Sequence, residues 1–582
     1  MKEPVSPSLY FDFINYKGKR HSLLFQNPCK IVAASNIEDV QPAFQEIQNA
    51  VDEGYYAAGY LSYEAAPAFD QAFHVHKNQK MPLLWFGIFD TPVEESLESN
   101  TGEFHTSEWI PKTSVGEYNK YISKIKDYIE QGDTYQVNYT IRMESEFEGD
   151  PISFYNQLVQ AQSANYSAYL DTGDFTILSA SPELFFHMKD GKVTTKPMKG
   201  TVGRGKTPNE DSLNADWLYR SVKNRAENVM IVDLLRNDLG MIANPGTVHV
   251  PNLFSIEKYP TVYQMTSTVI AEVAPDKSLY DIFKALFPCG SITGAPKIST
   301  MKIIKELETS PREVYCGAIG FITPDKEATF NVPIRTVFID HQNGVAQYGV
   351  GGGITWDSTN EEEYKELLIK AKVLHEKRQD FQLIETFGLY NGTYLVFDNH
   401  VERLKKSADY FQFDLDIELI KEKLLDVAKN RNKGSWKVRL LVDKNGSSII
   451  EESESFPFQK PIHVALAKEP IEKRDIFLYH KTTNRTIFEN SKKQFPDAFD
   501  VLLWNEDQEI TEFTMGNVVV ELAGKLYTPP VDSGLLPGTY RKALIDQGTI
   551  TERKIMLEEL KSCKKVWFIN SVREWVATRF IG

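Results

Sequence analysis

The sequence predicts a multidomain protein of mixed α+β and α/β class, and three observations predict it. At 582 residues the chain is too long for one hydrophobic core, so about two to four domains are expected. Short apolar, strand-like runs alternate with amphipathic helical stretches along its length. The polar run Glu376-Lys377-Arg378-Gln379-Asp380 interrupts that patterning, which restarts at Phe381 and marks the main boundary. We divide the chain into an opening segment over residues 1–105, a first catalytic unit over 106–378, and a second unit over 382–582.

In the opening segment, Leu23-Leu24-Phe25 and the apolar run 83–89 read as strands around a helix at 37–52. Residues 115–131 form an amphipathic helix ended by Gly132-Asp133, and Tyr135-Gln136-Val137-Asn138-Tyr139-Thr140 alternates as a strand. Residues 176–180 read as a buried strand, Ser181-Pro182-Glu183 turns the chain, and Leu184-Phe185-Phe186 starts another strand. The turn at Gly191 returns the chain towards Lys199. Glu183 and Lys199 are thus expected on neighbouring strand ends of one sheet. A lysine held in a closed pocket loses hydration, its pKa falls, and its free amine becomes a nucleophile or base. A late helix is expected over 361–377, capped within Asp357-Ser358-Thr359. On it Glu363 and Glu366 share one face.

Composition bounds the class. Apolar and charged fractions of 42% and 25% are those of a soluble globular protein. The net charge of −15 argues against a general nucleic-acid binder and against an anionic membrane surface. Cys29, Cys289, Cys316 and Cys563 lack metal-site spacing and read as reduced thiols. Met1-Lys2-Glu3-Pro4 leads to no apolar signal core and no run approaches a membrane span, so a cytoplasmic enzyme is expected.

Taken singly, these features have ordinary readings. Lys199 would be a solvent-facing strand end, Glu363 and Glu366 a solvated acidic face, Lys370 a surface salt bridge, and Gly351-Gly352-Gly353 a turn. The ordered set changes this. Lys196-Pro197-Met198-Lys199-Gly200-Thr201, Ala226-Glu227-Asn228, the run 230–240, Gly290-Ser291-Ile292-Thr293-Gly294-Ala295-Pro296-Lys297, Tyr315-Cys316-Gly317-Ala318-Ile319-Gly320, Ile334-Arg335-Thr336 and Gly351-Gly352-Gly353-Ile354 follow in one order. Together they resemble the chorismate-utilising enzymes over roughly 110–375. The lysine before Gly-Thr is similar to the aminodeoxychorismate synthase branch, where anthranilate synthases resemble one another in carrying alanine.

That resemblance implies a β-sandwich-like α+β fold acting on chorismate. It implies Lys199 as nucleophile at C2, Glu183 as acid or base for the departing C4 hydroxyl, and Thr201 beside the substrate. Magnesium would be held by Glu227, Glu363 and Glu366. Arg335, with Tyr315 and the backbone of Gly349 and Gly351, would hold the enolpyruvyl carboxylate, and Lys370 would add positive charge. Three positions depart from the family. Tyr263-Gln264-Met265-Thr266-Ser267 lacks the usual histidine, Gln136 stands where isochorismate synthases carry a water-activating lysine, and Cys289 replaces a common glycine.

The second unit carries Glu385-Thr386, His400-Val401-Glu402-Arg403-Leu404, Lys437-Val438-Arg439-Leu440, His480-Lys481-Thr482-Thr483-Asn484-Arg485, Thr511-Glu512 and Gly538-Thr539-Tyr540-Arg541, in that order. It resembles the fold-type IV pyridoxal-phosphate enzymes, the branched-chain aminotransferase and aminodeoxychorismate lyase group, without the strand and Asp-containing turn that members carry before Glu-Thr. The resemblance implies an α/β domain binding pyridoxal 5'-phosphate. Lys481 would bond the cofactor and shuttle protons, Glu512 would face the pyridine nitrogen, and Arg403, Gly538, Thr539 and Ser571 would hold the phosphate. A homodimer through this unit is the corresponding expectation.

Joined, the halves imply consecutive steps: chorismate and ammonia to 4-amino-4-deoxychorismate, then loss of pyruvate to 4-aminobenzoate. No Gly-x-Cys-x-Gly glutaminase elbow is present, so ammonia is expected from free solution or, as the preferred source, from a separate glutamine amidotransferase subunit. The alternatives are an anthranilate synthase component I fused to a D-amino-acid or branched-chain aminotransferase, and a non-enzymatic scaffold with decayed sites.

Overall fold

The computed structural model describes residues 7–15, 18–94, 97, 102–162, 164–376, 380–456 and 461–581. The opening residues 1–4 and residues 377–379 of the polar run lie outside them. The chain divides into two compact units, Met1–Gly203 with Ala215–Arg378, and Gln379–Gly582 with Arg204–Asn214.

Among the described residues, the first unit contains two ten-stranded sheets. The first runs in the order Gly294–Ala295, Gln136–Gly149, Val345–Ile354, Thr336–Asp340, Phe175–Ser181, Tyr166–Asp171, Ser8–Ile14 and Arg20–Gln26. The second runs Met198–Gly203, Val262–Glu272, Lys192–Lys196, Leu184–Lys189, Ala328–Asn331, Ala318–Ile322, Tyr56–Leu61, Leu84–Phe89 and Lys30–Ala34. Alternation puts Leu9, Phe11 and Phe25 of the first sheet against Tyr60, Phe89 and Phe321 of the second in one buried cluster, so the sheets form the expected sandwich.

Helices cover the outer faces. Val115–Glu130 starts at a capping box between Ser114 and Glu117 and buries Tyr118, Ile122 and Ile125 against the first sheet. Ile37–Asp52, Val222–Gly240 and Leu279–Leu286 bury Phe44, Ile231, Leu235 and Phe283 against the second. The late helix is shorter than expected. It spans Asn360–Ala371, capped by the Thr359 side chain, and tightens into a 3-10 turn over Lys372–Leu374. That tighter turn carries Val373 and Leu374 into the core.

In the second unit, helices Phe397–Phe411 and Ile417–Asn430 cover a four-stranded sheet that pairs Leu383–Tyr390 with Ser435–Val442. An eight-stranded sheet runs from Ile510–Phe513 through Asp500–Trp504, Ile462–Leu466, Glu574–Phe580 and Lys565–Asn570 to Gly516–Leu522 and beyond. A further pairing of Ile510–Phe513 with Gly516–Leu522 closes six of its strands into a ring, filled by Val464, Leu502, Phe513, Val518 and Phe568. Arg204 forms a two-pronged ion pair with Asp211 at 2.7 Å and lies over the Tyr410 ring at 4.1 Å. No helix among the described residues is long and apolar enough to cross a membrane.

Candidate functional site

The first site is built on the glycine strand Val345–Ile354. Its neighbour in the sheet is Gln136–Gly149, so Gly353 pairs with Asn138 and Gly351 with Thr140. A side chain at Gly353 would overlap Gln136 Nε2 and stand 2.7 Å from Lys199 Nζ. One at Gly352 would stand 3.4 Å from both Glu363 Oε2 and Lys370 Nζ, and 3.9 Å from Glu366 Oε1. Glycine is therefore needed at Gly353 because the Gln136 amide and the Lys199 amine close on bare backbone there. Gly349 has a different cause: its missing side chain makes room for the Tyr315 ring.

Lys199 reaches this face from Met198–Gly203. That strand pairs with Val262–Glu272, and its register shifts between Met198 and Thr201. Gly200 there adopts a φ of +94°. Glu183 lies outside the strands, in the turn between Phe175–Ser181 of the first sheet and Leu184–Lys189 of the second. Two strands separate Leu184–Lys189 from the Lys199 strand, so the two side chains do not sit on the expected neighbouring strand ends. Lys199 is half-buried by surface area. Its amine nevertheless lies deep enough that burial holds its pKa below the ordinary lysine value, opposed by Glu227 and assisted by Lys370. Glu183 is buried, and burial pushes its carboxyl up to about 7 against the Ser291 hydrogen bond and the Lys199 charge. Ser291 Oγ donates to Glu183 Oε1 at 2.6 Å.

The acidic face is only partly assembled. Glu363 accepts from Ser358 Oγ at 2.6 Å, and burial raises its pKa, with Glu366 adding to the rise. Glu366, 58% exposed, pairs with Lys370 at 2.7 Å, which lowers its pKa. Lys370 Nζ also donates to Gly351 O at 2.8 Å, so it is both an ion-pair partner and a charge on the glycine strand. The oxygen pair suits a hard cation. Glu227, half-buried on Val222–Gly240, does not join it: no three carboxylate, histidine or cysteine side chains gather into a metal-sized group among the described residues. Arg335, at a φ of +54°, donates to Lys370 O at 2.6 Å and thereby ties the end of the late helix. Buried Tyr315 has the Arg142 guanidinium 5.2 Å from its ring centre. Thr201 is exposed and donates to Gln264 Oε1 at 2.9 Å.

The second site is a cavity of about 510 Å³. Burial, with Arg485 and Arg403, lowers Lys481 to about 7. Burial raises Glu512 to about 8, although Leu536 N–H donates to it at 3.0 Å and Asn517 at 3.3 Å. Arg403 grips Glu385 through Nε at 2.9 Å and Nη2 at 2.6 Å, and Glu385 also bonds His400 Nδ1 at 2.6 Å. Burial opposes ionisation of Glu385, but Arg403 and His400 prevail and hold it near 2. His400 Nε2 continues to Thr539 Oγ1 at 3.0 Å, at the start of Thr539–Asp546, whose cap is Gly538. Ser571 donates to Thr386 O at 3.0 Å. A low-pKa lysine, a carboxylate facing the same cavity and a cationic helix start fit pyridoxal phosphate.

Sequence reasoning missed Ser291, Glu385 and His400 as site residues. The signals were present: Ser291 lies inside a long motif, and His400 and Arg403 are three apart, on one helical face. It also left Gln136 without a part. Gln136 is buried, and its Oε1 has no partner among the described residues.

Fold and sites define two enzyme-family domains in tandem. The chain belongs to the chorismate binding enzyme family, whose sequence profile matches residues 8–376. The amino-transferase class IV profile matches residues 382–581. Aminodeoxychorismate synthase component 1 of Salmonella typhimurium is 41% identical over 271 residues, 46% of this chain and 59% of that protein. Anthranilate synthase component 1 of Aquifex aeolicus is 36% identical over 266 residues, 46% of this chain and 53% of that protein. The chain thus spans little more than half the length of these relatives. The crystal structure of anthranilate synthase component I from Streptococcus pneumoniae superposes with a TM-score of 0.50 at 24% identity, covering 65% of this chain and 93% of that one.

Proposed function

We propose that this chain is a cytoplasmic bifunctional enzyme that makes 4-aminobenzoate from chorismate and ammonia. The observation that carries the reading is the half-buried Lys199 amine, held below its usual pKa and 2.7 Å from the side-chain position of Gly353, with the protonatable Glu183 among the charges around it.

In the first half the neutral Lys199 amine attacks ring carbon C2. The double bonds shift, the C4–O bond breaks, and the hydroxyl leaves as water with the Glu183 proton. Ammonia then adds at C4, the double bonds shift back, and the C2–N bond breaks to return Lys199 as a neutral amine. The new ammonium hands its extra proton to the Glu183 carboxylate, which closes the cycle. Glu363 and Glu366, the oxygen pair that suits a hard cation, would hold magnesium, which would bind the ring carboxylate. Gln136 has no basic group, which favours ammonia over activated water. Ammonia would come from a separate glutamine amidotransferase.

In the second half, bound pyridoxal phosphate would supply an electron sink for the C4–H bond electrons of the amine. Arg403 and Thr539 would hold its phosphate and Glu512 its ring nitrogen. Lys481, held near neutrality, would take the C4 proton and return one to the departing enolpyruvyl oxygen. The cavity wall favours a dicarboxylate substrate: Arg403, Lys437, Arg439, Lys481, Arg485 and Arg573 line it against the single carboxylate of Glu512. A simple amino acid would leave much of that charge unanswered.

Product analysis with chorismate, ammonium and magnesium tests both halves. The expected product is 4-aminobenzoate with pyridoxal phosphate present, and accumulated 4-amino-4-deoxychorismate without it. Anthranilate as the product would overturn the reading.

A further inference from the structure

The proposed acid Glu183 is approached from one side by a turn that the amination scheme does not use. The 3-10 turn Gly290–Ile292 is held at three points. Thr293 Oγ1 donates to Cys289 O at 3.1 Å, Arg312 Nη1 donates to Ile292 O at 2.8 Å, and Gly290 lies so close to Leu234 that a side chain there would collide with it. Cys289 and Ser291 flank that glycine, and their Sγ and Oγ lie 3.3 Å apart. Ser291 Oγ in turn donates to Glu183 Oε1. Cys289, Ser291 and Glu183 are 3%, 6% and 4% exposed, so water does not compete for these bonds.

We infer that Cys289 and Ser291 are positioning residues: their hydrogen-bond chain fixes Glu183 and reserves its Oε2 for the substrate. The inference rests on Glu183 acting as the acid in the proposed amination. The direction of the chain follows from donor chemistry. A carboxyl whose Oε1 accepts from a serine carries its own proton on Oε2, and the serine oxygen keeps lone pairs that accept the weak S–H donor. Cys289 remains a thiol, since burial and the Glu183 charge push it up to about 12. The other groups facing Glu183 are the Lys199 amine and the Tyr259 phenol, while Lys297 acts on Cys289 from its pairing with Asp238 at 3.0 Å.

The test is the amination rate of the full chain across pH at saturating ammonia. Ser291→Ala removes a donor that favours ionised Glu183. Its alkaline limb is expected to move up by about one pH unit, with kcat down about tenfold and KM for chorismate unchanged. Cys289→Ala is expected to move the limb the same way by less, and Cys289→Ser to restore it. Limbs that coincide with the wild type in both alanine variants would overturn the inference. Should Ser291→Ala not fold, the Cys289 pair carries the same test. Glu183→Gln separates the two claims: loss of amination leaves the acid reading standing, whereas retained amination removes that reading and the inference with it.

Discussion

At the scale of single residues, the proposed function depends on two lysines whose surroundings suppress their charge. Lys199 is held below its ordinary pKa by burial, and Lys481 is lowered to about 7. An arginine cannot lose its proton, so Lys199→Arg is expected to be as inactive as Lys199→Ala, each at least about 100-fold below wild type in initial amination rate. A lysine serving only as a structural cation would tolerate the arginine. For Lys481 the sign is direct. Raising the pH through about 7 uncovers the free amine, so association of pyridoxal phosphate with the cofactor-free chain, followed by absorbance, should accelerate across that range and then level off. Lys481→Ala should show no such band at any pH. Both lysines stood out in the sequence only through their motifs. Their depressed pKa values arise first from burial, which only the fold creates, and then from cations brought near: Lys370 for Lys199, Arg485 and Arg403 for Lys481.

At the scale of elements, the glycine strand separates two adjacent positions. Gly353→Ala drives a methyl group into Gln136 and towards the Lys199 amine, whereas at Gly352 the nearest atoms, at 3.4 Å, are the ends of flexible side chains. Amination by Gly353→Ala is expected to fall about 100-fold or more with circular dichroism unchanged, against less than about tenfold for Gly352→Ala. In the second unit, Glu385→Gln leaves the Arg403 charge short of its buried partner and should cost about 3–5 kcal/mol in denaturant unfolding. Because folded Glu385 titrates near 2, below an unfolded carboxyl, the stability it supplies is full above about pH 4.3 and fades as pH falls towards 2. Sheet and helix positions were readable where periodicity was strong. The helix Ile37–Asp52 and the strand Leu84–Phe89 lie where alternation and amphipathicity put them. The late helix ended early because buried Val373 and Leu374 drew its last turn inward, which no local signal announces. The register shift carrying Lys199 is likewise a property of the partner strand, invisible in the Lys196–Thr201 motif itself.

At the scale of the whole molecule, two units with separate cores carry two separate constellations of site residues. The two-domain α+β class could be read in advance because the two motif sets fall in separate stretches of the chain, and 8–376 and 382–581 match two different families. The three-carboxylate metal set was not assembled, because sequence spacing places Glu363 with Glu366 but says nothing of how Glu227 approaches from another helix. If the proposed halves work in series, a defect in one should leave the other intact. Lys199→Ala supplied with 4-amino-4-deoxychorismate is expected to release pyruvate at the wild-type rate, and Lys481→Ala to accumulate that amine from chorismate. Neither variant alone should convert chorismate to 4-aminobenzoate. Mixed in one tube they should do so after a lag that shortens as protein concentration rises, since the amine must diffuse from one chain to another. Product without a lag would mean that the intermediate does not pass through solution, and no product at all would mean that the second half does not consume what the first half makes.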